Sequence, residues 1–303
     1  MDLTQKEEVV EWLDSLNNSI SSGEISGPSF LKPFHFVTLA LMAKKEQFKE
    51  KFEEIVLPEG LSDYAERMGL WEAAGMEPPN RVRSRHSTDT IMPVFALKDR
   101  QQINDRIKDF KVLFDIENNP DKKDILIVLS ELLENCYAHS RVNEDLHGLV
   151  CAQQWQRGNL GQIAICDLGI GVRKSLSENE SLHPQLKEKN ACVLACEYGV
   201  TSKPHSDQHH SGYGLTLTKD ILIGNGGKLI VVSNKEIAWL NNAPRTSLMN
   251  HDIVSTMSGS LLQNSWPGTL IVFEWKINRP LDALAVYKSW PKSEEGDDDE
   301  DFF

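Results

Sequence analysis

Apolar positions along this chain recur with two different periods, and two regions separate between residues 95 and 110. In the first region the spacing is helical. Val9, Val10, Trp12, Leu13 and Leu16 give residues 1 to 19 one apolar face. A Ser/Gly-rich link leads to SFLKPFHFVTLALMAKKEQF, where Pro33 opens a helix carrying Phe36, Leu39 and Leu41. EEIVLP is expected as a short strand, LSDYAERMGLWEAAG as an amphipathic helix ended by Gly75, and EPPNRVRSRHSTDT as a polar linker.

From about residue 100 the pattern becomes that of one larger α/β unit. A helix is expected over roughly 98 to 110, and Pro120 opens a second one carrying ELLENCYAH. GLVCAQQWQ and QIAICD read as strands joined by the turn RGNLG. A long polar segment from 172 to 210 follows, then the helix GLTLTKDILI, a GNGG turn and the strands KLIVVS and TLIVFEWKI. There is no internal repeat and no heptad run.

Three blocks stand out against this pattern, always in the order ELLENCYAH, DLGIG, SGYGL. In the first, Glu131, Asn135 and His139 lie at i, i+4 and i+8, which at about 100° per residue lines them along one side of a helix. They sit beside Ile127, Val128 and Leu132, where polar groups are costly unless a metal, a phosphate or water satisfies them. A carboxylate there suits a general base and an amide oxygen suits Mg²⁺. A helix with a polar border gives the same pattern. In the second block Asp167 ends an apolar strand, with Gly169 and Gly171 leaving room for a ligand against the backbone. A tight turn capping a strand reads the same way. The third joins a glycine turn (Gly212, Tyr213, Gly214, Leu215) to a helix start, an anion-binding arrangement. It is neither a Walker A loop, since no Lys follows the glycines, nor a dinucleotide fingerprint, since no strand precedes it.

Composition narrows the setting. The net charge of the 303 residues is −13, and removing the seven acids of EEGDDDEDFF leaves −6, an ordinary value for a solvated surface. Nucleic acid is therefore not an expected partner, and Arg81, Arg83 and Arg85 read as an exposed interdomain run. No apolar run approaches the roughly 20 residues of a bilayer span, and the five cysteines fit a reducing, cytoplasmic compartment. Cys192, Cys196, His205, His209 and His210 share one segment, but their spacing matches no recognised zinc site.

Together the three blocks, with YGVTSK before the glycine turn and PGTLIVF near the end, resemble the GHKL ATPase superfamily of gyrase B subunits, heat-shock chaperones, MutL, sensor histidine kinases and anti-sigma-factor serine kinases. The resemblance covers about 115 to 277. It implies an α+β, two-layer α/β sandwich with a mixed sheet, the Bergerat-type ATP-binding fold, over 96–290. It also implies ATP and Mg²⁺ as cofactors. Glu131 would be the general base and Asn135 the Mg²⁺ ligand, with His139 of less defined role. Asp167, Gly169 and Gly171 would form the adenine pocket, with Thr269 backing Asp167. Gly212, Tyr213, Gly214 and Leu215 would form the phosphate turn. Thr201, Ser202 and Lys203 would meet phosphates from a lid.

Residues 1–95 resemble, more loosely, the STAS-like modules found beside bacterial GHKL domains, through SFLKPFHFVTLALMAKK and YAERMG. Lys32, Pro33 and Phe34 stand where true antagonists carry a phosphorylated serine; Ser29 is nearby, yet a phosphoswitch is not expected. His35, flanked by phenylalanines, reads as a core histidine and not as a phosphoacceptor. Residues 291–303 read as an acidic disordered tail. The expected function is an ATP-binding bacterial regulatory protein that slowly hydrolyses ATP or phosphorylates a partner on Ser or Thr. That partner would be a sigma-factor-like or antagonist protein, or a second copy of the chain. The alternative is a non-catalytic, nucleotide-gated binding module.

Overall fold

Five strands in the order β1-β2-β3-β5-β4 make one sheet: β1 (Ile91–Leu97), β2 (Gly148–Trp155), β3 (Leu160–Cys166), β4 (Lys228–Leu240) and β5 (Met257–Lys276). They come from a computed structural model that describes residues 2–22, 28, 30–44, 57, 60–78, 90–118, 123–139, 146–203, 213–241 and 257–291. Every pairing among them is antiparallel, so the sheet is not mixed as expected. The tightest of these connections shows why for one pair. β2 turns into β3 through three residues and a left-handed Asn159, and a reversal that tight admits no crossover.

All seven residues of β3 and all but the last of β2 are buried, which explains their continuous apolar runs. Alternate side chains enter two separate cores. Leu149, Cys151, Ala164, Cys166, Ile230, Val232, Leu270 and Val272 point to one face, and Val150, Ala152, Ile163, Ile165, Leu229, Val231, Ile271 and Phe273 to the other. The second face is covered by α5 (Gln102–Leu113), α6 (Asp124–His139), α10 (Gly214–Asn225) and α11 (Ala283–Ser289). The first is covered by α1 (Lys6–Ser22), α2 (Pro33–Lys44), α3 (Ser62–Arg67) and α4 (Leu70–Ala74). Helices thus lie on both faces, giving three layers where two were expected.

The first-face helices belong to the residues read as a separate STAS-like module. α2 is apolar all round and buried from Pro33 to Ala43, and such a helix needs neighbours on every side. The sheet is one of them, so residues 1–95 share a core with the strands that follow, and the expected boundary at 95/96 falls inside β1. The expected single helix over 61–75 is two short ones, broken where Gly69 takes a positive φ of 70°. The strand expected at EEIVLP and the acidic tail lie outside the described residues, apart from Leu57 and Pro291.

A buried polar hub pins this first layer to the sheet. Glu274 on β5, fully buried, accepts hydrogen bonds from the Thr4 N–H and hydroxyl at 2.6 Å each and from Gln162 Nε2 at 2.5 Å. Lys32 Nζ donates to Thr4 Oγ1 at 2.9 Å and to Glu8 Oε2 at 3.1 Å. Burial pushes the Glu274 carboxyl upward while Lys32, Thr4 and Gln162 pull against it. His35 lies in the core as expected, and desolvation, then Lys32, holds its pKa down to about 3.

Candidate functional site

The three sequence blocks meet at one pocket. α6 contributes Leu132, Asn135, Cys136 and His139; the end of β3 contributes Asp167; β5 contributes Thr269 and Ile271; and the start of α10 contributes Gly214 and Leu215. The remaining wall is Gly171 with α7 (Val172–Leu176), and then Ala195, Val200, Thr201 and Ser202. The cavity measures about 120 Å³, where a single water needs only roughly 10–15 Å³, so it has room for several waters or a small group.

Asp167 is its most constrained member. It is only 7% exposed; Gly169 N–H donates to its Oδ1 at 2.6 Å, and Thr269 adds hydrogen bonds from its hydroxyl and backbone. Desolvation dominates these contacts and raises the Asp167 pKa to about 6. The strand geometry behind it is closed by Asp167 N–H donating to Thr269 O at 2.9 Å. Gly268 makes this approach possible: at φ 78°, a Cβ there would stand 2.1 Å from the Asp167 carbonyl oxygen.

His139 and Ser175 face each other across the pocket, with Nδ1 and Oγ 3.0 Å apart. Glu131 does not line the cavity. It lies one turn before Asn135, with its carboxylate against Gly214, and although the residue is exposed that crowding, followed by the charge of Glu134, raises the carboxyl pKa. Gly169 contributes its N–H, whereas Lys203 and Tyr213 stand outside the pocket wall. Gly212 lies outside the described residues.

The segment expected as a long polar lid is folded as far as residue 203. α7, a single 3₁₀ turn, α8 (His183–Glu188) and α9 (Ala191–Leu194) enclose Leu176, Leu182, Leu186, Ala191, Leu194 and Ala195. Arg173 pins them to β4 through a two-pronged ion pair with Glu236 at 2.6 and 2.8 Å, and Glu236 also accepts from Ala191 N–H. Cys192 and Cys196 are buried core thiols, and burial pushes Cys196 up to about 12. His205, His209 and His210 lie outside the described residues.

The sequence reading missed Ser175, Gly268, Cys136 and the apolar wall from Val172, Leu176, Ala195 and Val200. Gly268 had a signal, the PG dipeptide before Thr269; Ser175 had none. No protein family, curated protein or solved structure matches this chain. No helix among the described residues is long and apolar enough to cross a membrane.

Proposed function

We propose that this chain is a GHKL-type regulatory protein that binds Mg-ATP through a Bergerat-like pocket and turns it over slowly, by hydrolysis or by phosphorylating a partner protein on Ser or Thr. The observation that carries this reading is the buried Asp167 carboxylate, held by Gly169 and Thr269 in the same pocket as Asn135 and Gly214. A carboxylate so placed is an acceptor for the exocyclic amine of adenine, while the first N–H groups of α10 offer an anion site beyond it. The donor set fits Mg²⁺. The Glu131 carboxylate and the Asn135 amide, through its Nδ2, both lie against Gly214; with the amide turned over, its oxygen would be a hard ligand suited to that ion. Asn135 would hold the metal, whose bound charge would neutralise the phosphates. Glu131, its carboxyl pKa raised by desolvation and then by Glu134, would take a proton from water or a hydroxyl. The protein partner, a sigma-factor-like or antagonist protein or a second copy of the chain, belongs to the same proposal, as does a STAS-like role for the first layer.

One observation favours the second reading, a non-catalytic nucleotide-gated module: Glu131 stands outside the pocket wall. Calorimetry with ATP, with and without Mg²⁺, tests binding. Wild type should bind in a Mg²⁺-dependent manner and Asp167→Asn should bind at least about tenfold more weakly, a difference of about 1.4 kcal/mol. Unchanged affinity in that variant sinks the adenine assignment. Phosphate release by wild type and Glu131→Ala then separates the readings, because equal background rates leave only the non-catalytic module.

A further inference from the structure

The segment that follows β5 touches α6, α10 and Tyr198 without lining the pocket. Ala283 N–H donates to Asp124 Oδ2 at 2.8 Å, at the head of α6. Trp290 Nε1 donates to Asp220 Oδ2 at 2.9 Å, on α10. The Trp290 ring packs on Tyr213, the residue before α10, and on Tyr198, upstream of Thr201 and Ser202, with both centroids 5.2 Å away. Tyr198 and Tyr213 are themselves 4.9 Å apart, and Tyr287 closes the cluster edge-on to Trp290 at 5.1 Å.

This cluster packs on the start of α10. Tyr213 stands at the N-cap of α10, and its own side chain accepts no hydrogen bond from the first turn. The direction of that turn is set instead by ring packing, which has preferred offset and edge-on geometries and so fixes orientation as well as distance. The same rings tie the turn to the 198–202 segment on the opposite side of the pocket.

We propose that Trp290 is a positioning residue for the phosphate end of the bound nucleotide. The segment 277–291 acts as a strap that holds the first turn of α10 and residues 198–202 at the spacing the β- and γ-phosphates need. The inference rests on the ATP reading above and deepens it. Trp290 touches no ligand; it acts through Tyr213 and Tyr198. The base end, anchored by Asp167 and Thr269 on strands, does not depend on it.

The test compares ATP with AMP, both read by displacement of a fluorescent ATP analogue, in wild type, Trp290→Ala, Trp290→Phe and Tyr198→Ala. Trp290→Ala should bind ATP roughly tenfold more weakly, equivalent to about 1.4 kcal/mol, with AMP affinity unchanged. Trp290→Phe should recover most of the loss, and Tyr198→Ala, which trims the exposed side of the cluster, should reproduce it even where Trp290→Ala fails to fold. Equal weakening of ATP and AMP, or no change in either, overturns the strap and leaves ATP binding standing. A wild-type protein that binds no nucleotide overturns both.

Discussion

Gly214 and Glu131 touch across the gap between two helices: a Cβ on the glycine would stand 2.7 Å from Glu131 Oε2 and 3.3 Å from its Cβ. The start of α10 and the polar stripe of α6 therefore meet with no side chain between them. In Gly214→Ala the nearest obstacle is the free end of a flexible side chain, which can swing aside. The melting temperature should stay within about 2–4 °C of wild type, the shift that goes with about 1 kcal/mol in a domain of more than about 150 residues. Phosphate release, however, should fall to the level of Glu131→Ala. Retained release in a folded Gly214→Ala protein would show that the placement of Glu131 against α10 is not used.

Gly268→Ala should behave in the opposite way. Here the added methyl meets backbone, 2.1 Å from the Asp167 carbonyl oxygen, at a φ of 78°. Nothing flexible can give, so a loss on the order of 2–4 kcal/mol is expected in denaturant unfolding. A loss below about 1 kcal/mol would mean that β5 and the end of β3 separate more easily than their pairing suggests.

Asp167 predicts a pH dependence with a definite sign. Its pKa rises from 3.8 unfolded to about 6 folded, so the folded protein holds the proton more tightly. The stabilisation is complete below about 4 and is lost as pH rises through 6, a swing of about 3 kcal/mol on the scale of 1.36 kcal/mol per unit. Asp167→Asn should therefore be more stable than wild type at pH 8 without ligand, and its advantage should shrink at pH 4. ATP affinity of wild type should fall as pH drops through 6. Thermal melts of both proteins from pH 4 to 8 check the first claim, and a pH-independent difference contradicts it.

Lys32→Met would remove the nearby charge that favours the ionised form of the fully buried Glu274 carboxyl, together with the Lys32 hydrogen bonds to Thr4 and Glu8. Losing those hydrogen bonds from a charged, buried donor should cost on the order of 1.5–3 kcal/mol. Adding Glu274→Gln should recover part of that loss, because it removes the buried charge while its one amide oxygen keeps part of the acceptor set. Urea unfolding of the single and double variants measures the coupling, and strict additivity would argue against the hub.

How far the fold could be read in advance depended on whether the cause was local. β2, β3 and the start of α10 carry their own signals: apolar runs bounded by turns, and glycine before a helix. The burial of α2 was legible in PFHFVTLALMAK, but not which surface buries it, since that partner comes from strands more than a hundred residues later. β1 escaped because Pro93 interrupts IMPVFAL; at a sheet edge a missing N–H is tolerated, and the edge position is a property of the whole sheet. At the site, the motifs delivered Asn135, Asp167, Gly214 and Thr269 to one pocket. Ser175 arrived only through the path of α7, and Trp290 through a helix, α11, that the pattern did not announce.

Cys166 shows what the shared core means in practice. Its Sγ donates to Val37 O of α2 at 3.3 Å from the first face, while the next residue, Asp167, enters the pocket. A fragment beginning at residue 96 would cut β1 near its last residues and strip the cover from Leu149, Cys151, Ala164, Cys166, Ile230, Val232, Leu270 and Val272. That fragment would keep every motif and every pocket-lining residue but uncover the opposite sheet face, presenting to solvent a continuous apolar surface prone to self-association. Whatever modulates the first layer therefore presses directly on the strand that carries the acid, with no linker in between to absorb the change.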